Sequence, residues 1–322
     1  MSASLQSEVD VVVLYEHPEW QKPLFAALEA RGLSYAAFDL KQACFSDQDV
    51  PKARLYFNQA SPSAYVRGNT RAVPFALALL RHLQARSAKV INGADVFAFE
   101  LSKSAQHSLL RTLGVDCPRS LIFNDPAALR SAPSIGSFPW PALIKPDQGG
   151  SGARIATVSG VNEIESILSA DPSLWQPDNL YLLQELCAHD PDRGIVRLEF
   201  LGGELLYAMR VVTHGRFNLC PAPVCNPEDG SGGACAIPEA TPAKPVEFYA
   251  YPEVPSEAVA TATRIMHAAR IDVGGIEYLE TPDGRRVFYD INANSNLRPS
   301  IAASFGFDPF ERVVEYLAAR LG

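Results

Sequence analysis

Two carboxylates near the C-terminal end of the 322-residue chain sit inside apolar strand patterns, and they constrain the fold more than any other feature. Glu277 lies in residues 275–279, GIEYL, and Asp290 in residues 289–296, YDINANSN. A buried carboxylate without a partner is costly, so each requires a cation or hydrogen-bond donors. The Asp283-Gly284 dipeptide is a hairpin turn signal that brings the strands at 273–280 and 286–291 side by side. Asp290, Asn292 and Asn294 alternate with Tyr289, Ile291 and Ala293 and therefore share a strand face. Glu277, Asp290 and the amide oxygen of Asn292 then form an oxygen donor set suited to a hard divalent ion, and magnesium bridged to nucleotide phosphates fits it best. For an isolated DxNxN the plainer reading is a solvated face with turn-forming asparagines.

A second constellation lies upstream. Residues 142–152 read ALIKPDQGGSG: an apolar strand delivers Lys145, Pro146 stiffens the exit, and Gly149, Gly150 and Gly152 flank Ser151. Such a loop can turn several backbone N–H groups toward a phosphate beside a lysine charge. It is not a Walker A loop, because that glycine spacing and its terminal Lys-Ser or Lys-Thr are missing. An ordinary hairpin turn is the plain alternative, and for Lys103 it is an exposed surface lysine.

The rest of the chain supplies the frame. An apolar β-branched run at 9–15, a helix at 20–31 stopped by Gly32, strands at 35–39 and 53–58, a helix at 73–85 and a strand at 89–92 predict a small α/β unit with a largely parallel sheet. A helix from 99 to Gly114 opens the next unit, followed by strands at 119–123, 142–145, 154–158 and 181–184 and a helix at 161–170. The alternation from 195 to 212, interrupted at Gly202 and Gly203, predicts a second hairpin. Arg197 and Arg210 lie on its two strands, suited to bidentate contact with phosphate or carboxylate, with a surface ion pair as the plain reading. Residues 216–256 carry eight prolines and a GSGG turn, and read as a long loop. Helices at 256–270 and 309–320 close the pattern.

A net charge of -8 argues against general affinity for nucleic-acid backbones. No stretch approaches 18 uninterrupted apolar residues, and the first ten residues lack a signal-peptide pattern, so a cytoplasmic protein without membrane partners is expected. Six cysteines without a CxxC pair make a disulfide framework or zinc ribbon a poor fit.

Taken in order, Lys103, IKPDQGGSG, LLQEL at 182–186, VRLEFLGGELLYAMR at 196–210, GGIEYL and YDINANSN resemble the ATP-grasp superfamily. The closest branch is that of ribosomal-protein glutamate ligases and glutathione synthetase-like enzymes. The resemblance covers roughly residues 99–322 and implies an α/β N-terminal domain (1–98) followed by an α+β ATP-grasp fold. Its two subdomains, 99–180 with a glycine-rich lid and 181–322 with a magnesium site, would clamp ATP. It also implies an ATP-dependent carboxylate-amine ligase working through an acylphosphate on small-molecule or peptide substrates, for which a homo-oligomer would be unsurprising. Lys103, Lys145 and residues 149–152 would hold the ATP phosphates, and Gln184, Glu185 and Leu186 the adenosine. Arg197 and Arg210 would be the catalytic pair facing the phosphate and the acylphosphate. Glu277, Asp290 and Asn292 would bind magnesium, or manganese in its place, and Asn294 and Arg298 would line the substrate end. Two departures stand out: Ile195 where many relatives have aspartate, and a Glu277/Asp290 pair reversed in length from the usual order. A kinase of the same fold and a nucleotide-binding module without chemistry remain open as alternatives.

Overall fold

The computed structural model describes residues 5–150, 152–214, 246–295 and 297–322. Ser151, the cysteines at 220, 225 and 235 and most of the proline-rich stretch lie outside the described residues. No helix among the described residues is long and apolar enough to cross a membrane.

The first unit opens with β1 (Val11–Tyr15), whose first four residues are buried on both faces, as a central parallel strand requires. Helix α1 (Pro18–Arg31) follows, started by Pro18 and stopped by Gly32 in the left-handed conformation. Then come β2 (Tyr35–Asp39), β3 (Leu55–Gln59), α2 (Ala72–Ala85) and β4 (Val90–Ile91). The strands form a parallel sheet in the order β2-β1-β3-β4.

Two helices, α3 (Ala94–Glu100) and α4 (Lys103–Thr112), stand where the sequence predicts one from 99 to Gly114. The break falls at Ser102, whose hydroxyl accepts from the Ala105 N–H as an N-cap. Lys103 is thereby placed on the first turn of α4.

The second sheet contains β5 (Ser120–Phe123), β6 (Ala142–Pro146), β7 (Ala156–Val158) and β8 (Tyr181–Glu185), with helices α5 (Pro126–Arg130) and α6 (Val161–Ala170) between them. It is antiparallel, ordered β5-β8-β6-β7. A unit boundary at 180 would assign β8 to the C-terminal part. Its four buried residues instead make it an interior strand of this second sheet.

The third sheet is built from β9 (Ile195–Leu201), β10 (Glu204–Val212), β11 (Glu247–Ala250), β12 (Val273–Glu280) and β13 (Arg286–Asn292). Its order is β11-β10-β9-β12-β13, antiparallel throughout. The end of the proline-rich stretch, expected as loop, supplies the edge strand β11. Helix α7 (Ser256–Ala269) covers one face, packing Ala262, Ile265 and Met266 against Val196, Leu198, Phe200, Ile276 and Tyr278. Full burial of a large apolar side chain contributes roughly 1.5–3 kcal/mol, so this face fixes the sheet on its helix. The other face turns toward the second sheet. After α8 (Pro299–Ala302), helix α9 (Pro309–Ala318) sends Val313, Val314 and Leu317 into a core shared with Val11, Val13, Leu24 and Leu28 of the first unit.

Candidate active site

The second and third sheets face one another across a cleft whose end is closed by the first unit. Its lining includes Ser63 from the first unit, Lys145 and Gln184 from the second sheet, and Arg197, Glu277 and Asp290 from the third.

Two β-bulges decide what the third sheet presents. On β13 the register skips Tyr289: Tyr278 pairs with Phe288, but Glu277 pairs with Asp290. With the same residues in unbroken register Glu277 would face Tyr289, and Asp290 would turn to the opposite face. The bulge thus sets Glu277, Asp290 and Asn292 on one face, and Asn294 beyond them also lines the cleft. On β10 the register skips Leu206, so Met209, not Ala208, lies opposite Arg197.

That second bulge overturns the expected pairing of arginines. Arg210 lies opposite Val196, on the α7 face, and donates to Glu280 at 3.0 Å with its guanidinium 4.2 Å above the Tyr251 ring. It does not line the cleft. Arg197 does, and its donors are engaged along every edge: Nε with Glu199 at 2.6 Å, Nη1 with Glu277 at 2.8 Å and Nη2 with Ser295 at 3.1 Å.

Glu277 also accepts from the Tyr289 hydroxyl at 2.9 Å. Burial raises its pKa, against the pull of Arg197. Asp290 is salt-bridged to Lys103 and lies 3.4 Å from the Asn292 amide nitrogen. Burial pushes its carboxyl up, but the charges of Lys103 and Lys145 outweigh that and hold it below the ordinary range. Among the described residues no three His, Cys, Asp or Glu side chains converge as a metal site. The Glu277 and Asp290 carboxylates and the Asn292 amide oxygen would be the donors to a metal, a set whose chemistry suits magnesium completed by phosphate and water oxygens.

Lys145 is buried at 4% exposure, and its ammonium has no acceptor within hydrogen-bonding distance among the described residues. Burial and the adjacent charge of Lys103 push its pKa down to about 7. The loop beyond it is anchored at its base: the Lys103 N–H donates to the Asp147 carbonyl and the Ser104 N–H to the Asp147 carboxylate, at 3.2 and 2.6 Å. Gln148 donates to the Pro62 carbonyl at 3.3 Å. Gly150 packs so closely on Ser63 that a Cβ would stand 2.5 Å from that side chain and 2.9 Å from its Cα. Ser151 lies outside the described residues.

At the end of β8, Gln184 donates to His107 Nε2 at 2.7 Å. Burial, with Lys145 and Lys103 nearby, lowers the His107 pKa to about 3, so the imidazole is neutral and able to accept. Glu185 accepts from the Arg119 N–H at 3.0 Å, and both it and Leu186 line the cleft. Asn294 spends its amide N–H groups on the Gln59 and Ala60 carbonyls, at 2.8 and 3.0 Å, tying the third sheet to the first unit. The Arg298 guanidinium lies 3.3 Å over the Phe248 ring at the cleft edge.

Sequence reasoning passed over Glu199, Ser295, Tyr289 and Glu100. Glu199 is fully buried, and its signal was legible: a second charge two residues after Arg197 within VRLEF shares that arginine's face. Glu100 accepts from the Asn294 N–H at 2.9 Å, and burial beside Asp290 pushes its pKa up to about 8.

No family model matches the chain, and no curated protein does. Solved structures match it over nearly its whole length. The ATP-grasp ligase PsnB complexed with a minimal precursor is 18% identical with a TM-score of 0.66, covering 98% of this chain and 100% of that one. The VanG D-Ala:D-Ser ligase from Enterococcus faecalis is 15% identical with a TM-score of 0.68, covering 98% and 100%. A RimK domain protein from Sphaerobacter thermophilus is 16% identical with a TM-score of 0.66, covering 95% and 98%. Three sheets in this order, a cleft between the last two, and full-length superposition on these proteins show that the chain has the ATP-grasp fold.

Proposed function

We propose that the chain is an ATP-dependent ligase that joins a carboxylate to an amine through an acylphosphate, releasing ADP and phosphate. The observation that carries this reading is Lys145, a buried cation without an acceptor among the described residues, facing two carboxylates across the cleft. A desolvated ammonium of this kind is stabilised by an anion, and a polyphosphate supplies one. The similar proteins include a ligase with ADP and magnesium and a D-alanine–D-alanine ligase with ATP, which supports the same assignment.

In this reading Lys145 and Lys103 hold the phosphates, with backbone N–H groups of the glycine loop above them. The end of β8 receives the base. Magnesium held by Glu277, Asp290 and Asn292 would neutralise charge on the transferring phosphoryl group. Arg197, held by Glu199, Glu277 and Ser295, would stabilise charge where a substrate carboxylate meets the γ-phosphate. No protein nucleophile is required; positioning and fixed charges carry the rate.

The test is incubation with ATP, magnesium and pooled amino acids, peptides and small carboxylates, followed by phosphate release and mass spectrometry, with Asp290→Ala as control. A new mass one water below the sum of two pool members, absent in the variant, supports the ligase. A phosphorylated product without condensation replaces it with a kinase. Nucleotide binding without turnover would sink the enzymatic reading.

A further inference from the structure

The third sheet carries a carboxylate that neither the phosphate site nor the metal donor set uses. Glu199 is 0% exposed, yet it lies on the cleft face of β9, one row below Arg197. One of its oxygens accepts from Arg197 Nε at 2.6 Å and the other from the Ser295 hydroxyl. Ser295 in turn accepts from Arg197 Nη2, closing a ring of three side chains. The neighbouring strand is shaped to admit that ring: a Cβ on Gly275 would stand 2.6 Å from Glu199 Oε2 and 2.8 Å from Arg197 Nη2. Replacing a buried ion pair by apolar groups is often neutral or favourable, so stability alone is a weak reason to bury this one.

Arg197 has a second carboxylate partner, Glu277. An oxygen of Glu277 that turns to a metal weakens its hold on Arg197, whereas Glu199 has no cation beside it but Arg197 among the described residues. We infer that Glu199 is a positioning residue: with Ser295 it fixes the Arg197 guanidinium when Glu277 is engaged elsewhere, keeping the Nη groups directed at the transferring phosphoryl group. The inference rests on the ligase reading given above.

Two variants test it, Glu199→Gln and Ser295→Ala. Both are compared with wild type for carboxylate-dependent positional isotope exchange in 18O-labelled ATP with the amino-acid and carboxylate pool, for ATP affinity by calorimetry with and without magnesium, and for thermal midpoint. Exchange absent from wild type overturns the ligase reading itself. Given exchange in wild type, the expected result for Glu199→Gln is an exchange rate down about 100-fold at saturating ATP. Its ATP affinity should stay within about 3-fold, both without and with magnesium. Ser295→Ala should lose about 10-fold in rate by the same comparison. A purely structural role predicts a lower midpoint with the rate per folded molecule unchanged, and that outcome overturns the proposal. If Glu199→Gln does not fold, an unchanged exchange rate in Ser295→Ala overturns it alone.

Discussion

Two buried cations enter the cleft from opposite sheets, and their surroundings differ in kind. Lys145, from β6, has no acceptor within hydrogen-bonding distance among the described residues, and its pKa is pushed down to about 7. Arg197, from β9, donates to two buried carboxylates and a serine and is held above the ordinary arginine range, those carboxylates outweighing the effect of burial. The chemistry of the two side chains suits the division. A guanidinium offers donors in a rigid fork and stays charged when desolvated; an ammonium sheds its proton more readily. One sheet therefore holds its cation with side chains of the protein, and the other leaves its cation for a ligand to pair.

The comparison predicts stability changes of opposite sign. Arg197→Met leaves Glu199 and Glu277 buried without their guanidinium and should destabilise the free protein by about 3–5 kcal/mol, measured by urea unfolding. A loss below about 1 kcal/mol would mean that the carboxylates find other partners, and the contrast with Lys145 would collapse. Lys145→Met removes a desolvated charge and should stabilise the free protein, on the order of 2 kcal/mol. The same variant should weaken ATP binding at least about 10-fold, so ATP should raise the thermal midpoint of wild type and leave the variant nearly unmoved. A stabilised variant that still responds to ATP would show that Lys145 is not the phosphate ligand.

A pH series sharpens this further. The Lys145 pKa is about 7 in the folded chain and 10.5 for an unperturbed lysine. Between those values the unfolded chain binds a proton that the folded chain lacks, so wild-type stability contributed by this group rises with pH across the window. The advantage of Lys145→Met should be full below pH ~7 and shrink toward its packing contribution near pH ~10. Paired unfolding curves at pH 6.5 and 9.5 read the difference directly; a constant gap would place the ammonium in water. ATP binding above pH ~7 should also draw a proton onto Lys145, visible as a buffer-dependent binding enthalpy that the variant lacks.

Much of this was legible in the sequence because it rested on period and punctuation. The α6 helix at 161–170 and the β12 strand at 273–280 lie where apolar spacing places them. The hairpin joining residues 142 and 158 pairs those very residues. Legibility failed where one residue changed the phase. Ser102 divides a helix that periodicity would have continued, because a side-chain cap competes with the backbone bond. Residues 247–250 read as part of a proline-rich loop because their strand character depends on the edge of β10, with which they pair. The bulge at Tyr289 could not be seen in an alternating pattern, yet it is what sets Glu277 and Asp290 on one face. Glu199 was visible as a charge in a buried strand; its partner Ser295 lies 96 residues away, a contact that only the fold supplies.

The bulge at Leu206 gives the smallest and most discriminating prediction. With unbroken alternation Arg210 would lie on the face of Arg197, and its loss would cost as much in turnover as any oriented cation at a phosphoryl group, about 100-fold. With the bulge it faces Glu280 and Tyr251 behind the sheet, one of its Nη atoms buried without a partner among the described residues. Arg210→Met should then leave the isotope-exchange rate within about 2-fold of wild type and shift stability by no more than about 1 kcal/mol, since a half-buried pair contributes little. A fall of 100-fold would return Arg210 to the cleft and require the β10 register to slip by one residue, which would also turn Met209 and Val211 out of the core they share with Ile195 and Tyr207. Deleting Leu206 tests the same point from the other side. Removing the extra residue closes the bulge while keeping Tyr207 opposite Glu199 and Arg210 opposite Val196, so the isotope-exchange rate should again stay within about 2-fold of wild type.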